Sequence, residues 1–476
     1  MNEETQKVYD RLYDFLKDSI PILRKTVDID LLPTLRKYYI EKDNNRVKIL
    51  PHDRPNWWQI RVSEQMQILN LSSFREAIDA LNRHQQIKSH NGKHSLAFGH
   101  GTSFHANTVP ISFLKELINR ENDLIFRKKS FEALFNDFLK YISTGDKSYA
   151  RLVVPFDNLI IKSKVVELED DLRIRKIAPE KLVDLVNNCP VLGYFYGRGL
   201  HPWFQCMLEL DIPFNWSWVT QSESDNLDSH LLPLMKSSNQ YLSFRHRINQ
   251  EIVILRAILN RQISVQTFVI DYRGWDSVMF TGGVINYLPW ARERLPSPDP
   301  ITSKEISNYK HYRQKFLKIK DEEIRQRIFV AMRKLAFSMD KPYGGDQLMD
   351  TVSGLEGLLV NSKTEVTHKF AERAAILLEN DQKKRENLQK DMREAYKLRS
   401  AVAHGSIIAD DFDTIFSKIN RGQQPKKKET DQYNKVQQMR TMTRKLLHIA
   451  LLVCIDNEKT EFDWDSALMG TKTSPL

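Results

Sequence analysis

Three cysteines in 476 residues, Cys189, Cys206 and Cys454, are too few and too scattered for a disulfide framework or a zinc pattern. A reducing, cytoplasmic setting follows as the default. Long apolar runs are missing too. None approaches the roughly 20 residues of a membrane-spanning helix, so no membrane partner is expected. The opening MNEETQKVYDRLYDF is polar and acidic, unlike a secretory signal. There is no glycine loop of the kind that cradles phosphates, no nucleophile elbow and no kinase motif set. No dense acidic cluster with metal-ligand spacing lies near residues 399–404, and neither metal nor other cofactor is expected.

What remains has the composition of a globular protein, 41% hydrophobic and 28% charged. The chain is too long for one ordinary core, so several domains are expected. The formal charge is +10, and residues 301–476 carry 32 Lys and Arg against 25 Asp and Glu. Most of the excess therefore lies in the C-terminal third, which suits a polyanionic partner as well as a plain solvated surface.

The patterning predicts an α+β, multidomain chain. Residues 1–148 read as a mainly helical region, with helices over Thr5–Val27, Ser72–Gln86 and Phe113–Ile142 and a loop over 87–110. Residues 149–300 read as a mixed strand and helix domain. Strands are expected over Arg151–Ile161, Val165–Leu168, Leu172–Ile177, Phe214–Val219 and Ile263–Tyr272, with a helix around His246–Leu259. Four prolines mark a linker near 289–301. Residues 301–476 read as an all-helical bundle with members over Ser303–Ser338 (one helix or two), Asp346–Val360, Glu365–Glu379, Lys383–Ala403 and Tyr433–Ile455. In Asp346–Val360 the apolar positions Leu348, Val352, Leu355 and Leu359 form a narrow stripe that reads as bundle core.

The chemistry-bearing pattern closes the fourth of these helices: Arg399-Ser400-Ala401-Val402-Ala403-His404, then Gly405. Arginine offers a planar, permanently charged fork of donors for a phosphate, and histidine moves protons near neutral pH. On a regular helix residues five apart point about 140° from each other. Two solutions exist and do not exclude each other: the helix ends between them, letting His404 swing round beside Gly405 as a left-handed cap, or two copies of the motif meet across a two-fold axis. A plainer use of the same residues is open as well. His404 could cap the helix end, and Arg399 could pair with Glu394 or a carboxylate of another helix.

The surrounding pieces carry a resemblance. LEGLLV (355–360), FAERAAILL (370–378) and YKLRSAVAHG (396–405) resemble the HEPN superfamily, and most of all its ApeA-like branch, over roughly 340–460. That resemblance implies a helical bundle that forms a homodimer. It implies a metal-independent endoribonuclease of antiphage defence, cutting tRNA or other host or phage RNA through the 2′-OH to leave a 2′,3′-cyclic phosphate. His404 would transfer protons, Arg399 would hold the phosphate, and Ser400 would orient one of them. A phage-derived trigger would act through residues 1–300, with 149–300 as the sensing or regulatory domain. The alternative is a non-catalytic HEPN module that binds RNA or a partner and dimerises within a defence or toxin–antitoxin system.

Lys397, Arg421, Lys426, Lys427 and Lys428 are further candidates for RNA-backbone contact, the last four in a stretch that also reads as a solvated linker. Five histidines, His84, His90, His94, His100 and His105, fall within 22 residues. Their spacing fits no familiar zinc set, and a polar loop is the favoured reading. Trp57, Trp58, Trp216, Trp218 and Trp290 read mostly as core.

Overall fold

The computed structural model describes residues 1–464 except 33, 44–45, 56–61, 92–93, 98–99, 144–146, 157–158, 189–205, 216, 220–226, 264, 273–274, 276–285, 291–299, 342, 362–363 and 406–426. The chain is mostly helical with antiparallel sheet, as an α+β reading expects. It divides into two compact units. The first comprises Met1–Asp157, Ser163–Arg245 and Thr267–Leu288; the second comprises Asn158–Lys162, His246–Gln266 and Pro289–Leu476.

In the first unit, α1 (Glu3–Thr26) starts where the Asn2 side chain accepts from the Thr5 amide at 2.8 Å. Glu3 and Glu4 sit in its first turn and Arg24 and Lys25 in its last, each matching the helix dipole. α2 (Val62–Leu69), α3 (Ser72–Arg83) and α4 (Gln85–His90) follow, and Phe74 of α3 meets Phe15 of α1. The single helix expected over 113–142 is two, α5 (Val109–Glu121) and α6 (Lys128–Ser143). Asn122 breaks it by taking a left-handed φ of 53°, a conformation Asn tolerates better than most residues. Phe113, Phe131, Phe135 and Phe138 from these helices are all fully buried and pack edge-on or tilted.

Two hairpins in this region were not expected from the sequence. β1 (Thr34–Asp43) pairs with β2 (Arg46–Pro55). β3 (His94–Ala97) pairs with β4 (His100–Ser103) inside the stretch read as a loop. The main sheet contains β5 (Lys147–Phe156), β6 (Val165–Glu167), β7 (Leu172–Lys176), β8 (Cys206–Asn215), β10 (Val265–Tyr272) and β11 (Asn286–Trp290) in the order β11-β10-β5-β8-β7-β6. The segment FNWSWV splits: Phe214 and Asn215 end β8, while β9 (Ser217–Val219) joins β3 in the small sheet.

Strand periodicity sorts the faces of the main sheet. Leu152, Val154, Leu208, Leu210 and Ile174 share one apolar face. The other face carries Val153, Met207 and Val269, which pack with Leu182, Val183, Leu185 and Val186 of α7 (Pro179–Asn188) and with Tyr38 of β1. Asn187 holds the hairpin there, accepting from the Tyr38 amide at 2.8 Å and donating to its carbonyl at 2.9 Å. Beside this core the same face is polar. Glu209, wholly buried, accepts from Arg173 at 2.7 Å, Arg175 at 2.8 Å and Arg151 at 3.3 Å. Burial alone would raise its carboxyl, but those guanidiniums overrule it and hold the group below the usual glutamate value.

α8 (Leu227–Leu259) is far longer than the expected helix around 246–259, and its last part, from His246, counts with the second unit. The rest of that unit is built by α9 (Ser303–Lys318), α10 (Glu322–Ser338), α11 (Gly344–Leu359), α12 (Val366–Leu378), α13 (Gln382–Ala403) and α14 (Lys427–Asn457). Thr302 and Glu305 form a capping box at α9, and Asp321 caps α10, so the charged run 303–338 is two helices. Gly344 and Gly345 open α11. The stripe Leu348, Val352, Leu355 and Leu359 is at most 1% exposed, and Thr351 of α11 shares a buried hydrogen bond with Thr443 of α14 at 2.8 Å.

The end of α8 is tied into this unit by buried polar contacts. Glu251 accepts from Arg313 at 2.8 and 2.9 Å and from Tyr309. Arg256, with no exposed surface, grips both oxygens of Asp340. Past the helix, Arg444 of α14 donates to the Asn260 side chain at 2.9 Å and to its carbonyl at 2.8 Å, while His448 meets the Ile258 carbonyl at 2.9 Å. A cation at a helix C-terminus complements the dipole and satisfies carbonyls the helix leaves open.

Candidate functional site

α13 begins with the Asp381 carboxylate accepting from the Lys384 amide at 3.0 Å, and it runs unbroken through Ala403. His404 leaves the helical path with ψ 7°, and Gly405 takes φ 68°. The amide of His404 still donates to the Ser400 carbonyl at 3.0 Å, and that of Gly405 to the Val402 carbonyl at 3.0 Å. Gly405 is thus the left-handed cap that its place in the sequence implied. The helix does not end between Arg399 and His404, however. It ends at His404, and the ring springs from a Cα set by the preceding helical turn. The two side chains therefore leave one chain about 140° apart, as on a regular helix.

The structure sets these residues at the surface. His404 and Lys397 are exposed, and Arg399 and Ser400 are half-buried. The Arg399 guanidinium has two neighbours. Its Nη2 lies 3.7 Å from Oε2 of Glu356 on α11, and its Cζ lies 5.5 Å from the centre of the Tyr396 ring, one turn earlier on α13. Tyr396 in turn packs against Phe370 of α12, with ring centres 5.5 Å apart. LEGLLV, FAERAAILL and YKLRSAVAHG thus each send a residue to the surroundings of Arg399. Of the two ion-pair partners weighed from the sequence, the structure takes the carboxylate on another helix. Glu394 is engaged elsewhere, by Lys435 of α14 at 2.6 Å.

Glu356 and Tyr396 were not singled out from the sequence. Glu356 was legible as the one charged residue inside an apolar run, and Tyr396 as an aromatic three positions before an arginine on a helix. Arg421 and Lys426 lie outside the described residues. Lys427 and Lys428 form the first turn of α14, and their side chains lie outside the described residues too.

The histidine-rich stretch is spread over several elements. His84 is buried between α3 and α4, with Nε2 3.1 Å from the Thr5 hydroxyl. His90 ends α4, His94 and His100 lie in the β3–β4 hairpin, and His105 precedes a short 3-10 turn. Among the described residues no group of three or more His, Cys, Asp or Glu side chains is placed to hold a metal ion. Trp57, Trp58 and Trp216 lie outside the described residues. Among the described residues no helix is long and apolar enough to cross a membrane.

What this surface can do chemically follows from its parts. An aromatic ring and a carboxylate hold a guanidinium at the protein surface, where a phosphate can reach it. An exposed imidazole five residues on can give or take a proton. Comparison with protein-family models, curated proteins and solved structures returned no match.

Proposed function

We propose that this chain is an endoribonuclease of the HEPN type, acting in bacterial antiphage defence through Arg399 and His404. The observation that supports this best is the seating of Arg399. Glu356 and Tyr396, from two segments that resemble HEPN sequences, flank it, Phe370 of the third packs behind Tyr396, and it stays half-exposed in the last turns of α13 near an exposed His404.

The reaction needs little from the protein. The RNA's own 2′-oxygen forms the new bond to phosphorus, and the bond to the 5′-oxygen breaks. One proton leaves the 2′-OH and one arrives at the departing 5′-oxygen. An imidazole in the appropriate protonation state carries either transfer, while a guanidinium stabilises the charge that builds on the phosphorane oxygens. Products are a 2′,3′-cyclic phosphate and a 5′-OH. Because Arg399 and His404 diverge on one chain, the working site is completed by a second copy across a two-fold axis. Ser400, between them in sequence and half-buried, orients one of the pair. Lys397 and the basic stretch from Arg421 to Lys428 draw the RNA backbone. The setting is the bacterial cytoplasm, and residues 1–300 hold the nuclease in check until a phage-derived trigger arrives.

The same divergence favours a second reading, a non-catalytic module that binds RNA or a partner. Expression in a bacterial host with and without phage separates the two. The nuclease reading predicts that wild type arrests growth or blocks phage and that His404→Ala abolishes this. An unchanged effect in His404→Ala, with RNA or partner binding intact, would support the binding module instead.

A further inference from the structure

We infer that Glu356 is the positioning residue of Arg399, an inference that rests on Arg399 being the phosphate-holding group. The geometry supplies the reason. At 3.7 Å the Glu356 carboxylate attracts the guanidinium but lies beyond hydrogen-bonding distance, so the N–H donors of Arg399 stay available for a phosphate. Tyr396 contributes a ring to the same guanidinium. A carboxylate on α11 and an aromatic ring on α13 thus hold one flexible side chain from two separate helices. A free arginine explores many rotamers, and a phosphate that must first collect it reacts more slowly than one that meets it in place.

Alternative uses of Glu356 explain less. Its neighbours Leu355, Leu358 and Leu359 are fully buried, while Glu356 itself is half-exposed, so the core does not require it. As a surface ion pair it adds little to stability. The nearest acid on α13 itself, Glu394, is engaged by Lys435 and leaves the role to α11. Glu356 also fixes a direction. It draws the guanidinium toward α11 while the Tyr396 ring holds it from its own helix.

The test compares wild type, Glu356→Ala and Glu356→Gln in the full chain, with a labelled mixed-sequence RNA oligonucleotide as substrate. A positioning role predicts that Glu356→Ala lowers kcat roughly tenfold while KM moves less than about threefold, since orientation in the transition state is lost rather than ground-state binding. Glu356→Gln, which keeps the shape but loses the charge that draws the guanidinium across 3.7 Å, should lose nearly as much as Glu356→Ala, and a Gln variant at wild-type kcat would also overturn the inference. Melting temperatures should agree within about 2 °C, as for a surface pair. Wild-type kcat in Glu356→Ala, or faster cleavage, would overturn the inference.

A second readout does not depend on activity. The Nε–H resonance of Arg399 in nitrogen-15 spectra, assigned by its loss in Arg399→Lys, should move toward the free-arginine position in Glu356→Ala. No movement would overturn the positioning role. If wild type fails to cleave RNA but this resonance moves, the nuclease reading falls and the positioning contact stands.

Discussion

A buried histidine shows how much of this molecule is decided by single side chains. His84 sits between α3 and α4 with Thr5 as its partner. Burial pushes its pKa below the ordinary histidine value, with Glu4 opposing only in part. The unfolded chain therefore binds a proton at a pH where the folded chain resists it. Stability from this group is complete above about pH 6.5 and is lost as the pH falls toward the lower, folded value. Thermal melting between pH 7.5 and 5 should show a falling Tm for wild type and a shallower fall for His84→Gln. Equal slopes would remove His84 from the acid response. None of this was legible in the sequence, where His84 belonged to a run of five histidines. A histidine's burial depends on what folds over it, here the first turn of α1, some 79 residues away. Arg399 and His404 stood out because their residue types and spacing carry chemistry on their own. Glu356 became visible only when α11 was laid against α13.

Elements were legible where one periodicity ran long. The α11 stripe was read correctly from heptad-like spacing and proves wholly buried. The α13 boundary was read from Gly405, and the φ of 68° there explains why glycine serves. Short strands in polar sequence were missed. The β1–β2 and β3–β4 hairpins owe their order to long-range partners: α7 and Asn187 for the first, β9 for the second. The close approach of α11 to its neighbours was also hidden. Gly354 lets the helices meet, since a Cβ there would stand 2.7 Å from Leu447 Cδ2 and 3.2 Å from Lys334 Cβ. Leu447 is fully buried, so moving its side chain disturbs the packing around it. Gly354→Ala should therefore destabilise the protein by about 1–3 kcal/mol, even though alanine favours helix. Chemical denaturation measures this, and a neutral or stabilising result would mean that α10 and α14 can step back.

At the scale of the whole molecule, the prolines near 289–301 suggested where one domain ends, but a linker in sequence does not decide which segments pack together. The buried pairs Glu251–Arg313 and Arg256–Asp340 explain why 246–266 counts with the helices that follow rather than with the sheet before it. An unpaired buried charge costs several kcal/mol, so these helices need the end of α8. A boundary drawn at 301 separates Arg313 from Glu251 and Asp340 from Arg256. Such long-range pairing has no local signature in the chain.

Arg399 and His404 are proposed to break RNA together. The most direct measurement is cleavage of RNA by purified full-length protein, with the product ends analysed, for wild type, Arg399→Ala and His404→Ala. Wild type should yield fragments ending in 2′,3′-cyclic phosphate and 5′-OH under activating conditions. Each variant should lose at least about 100-fold in rate. Cleavage that survives both substitutions, or a wild type that leaves RNA intact under the conditions in which it arrests cells, would contradict this proposal.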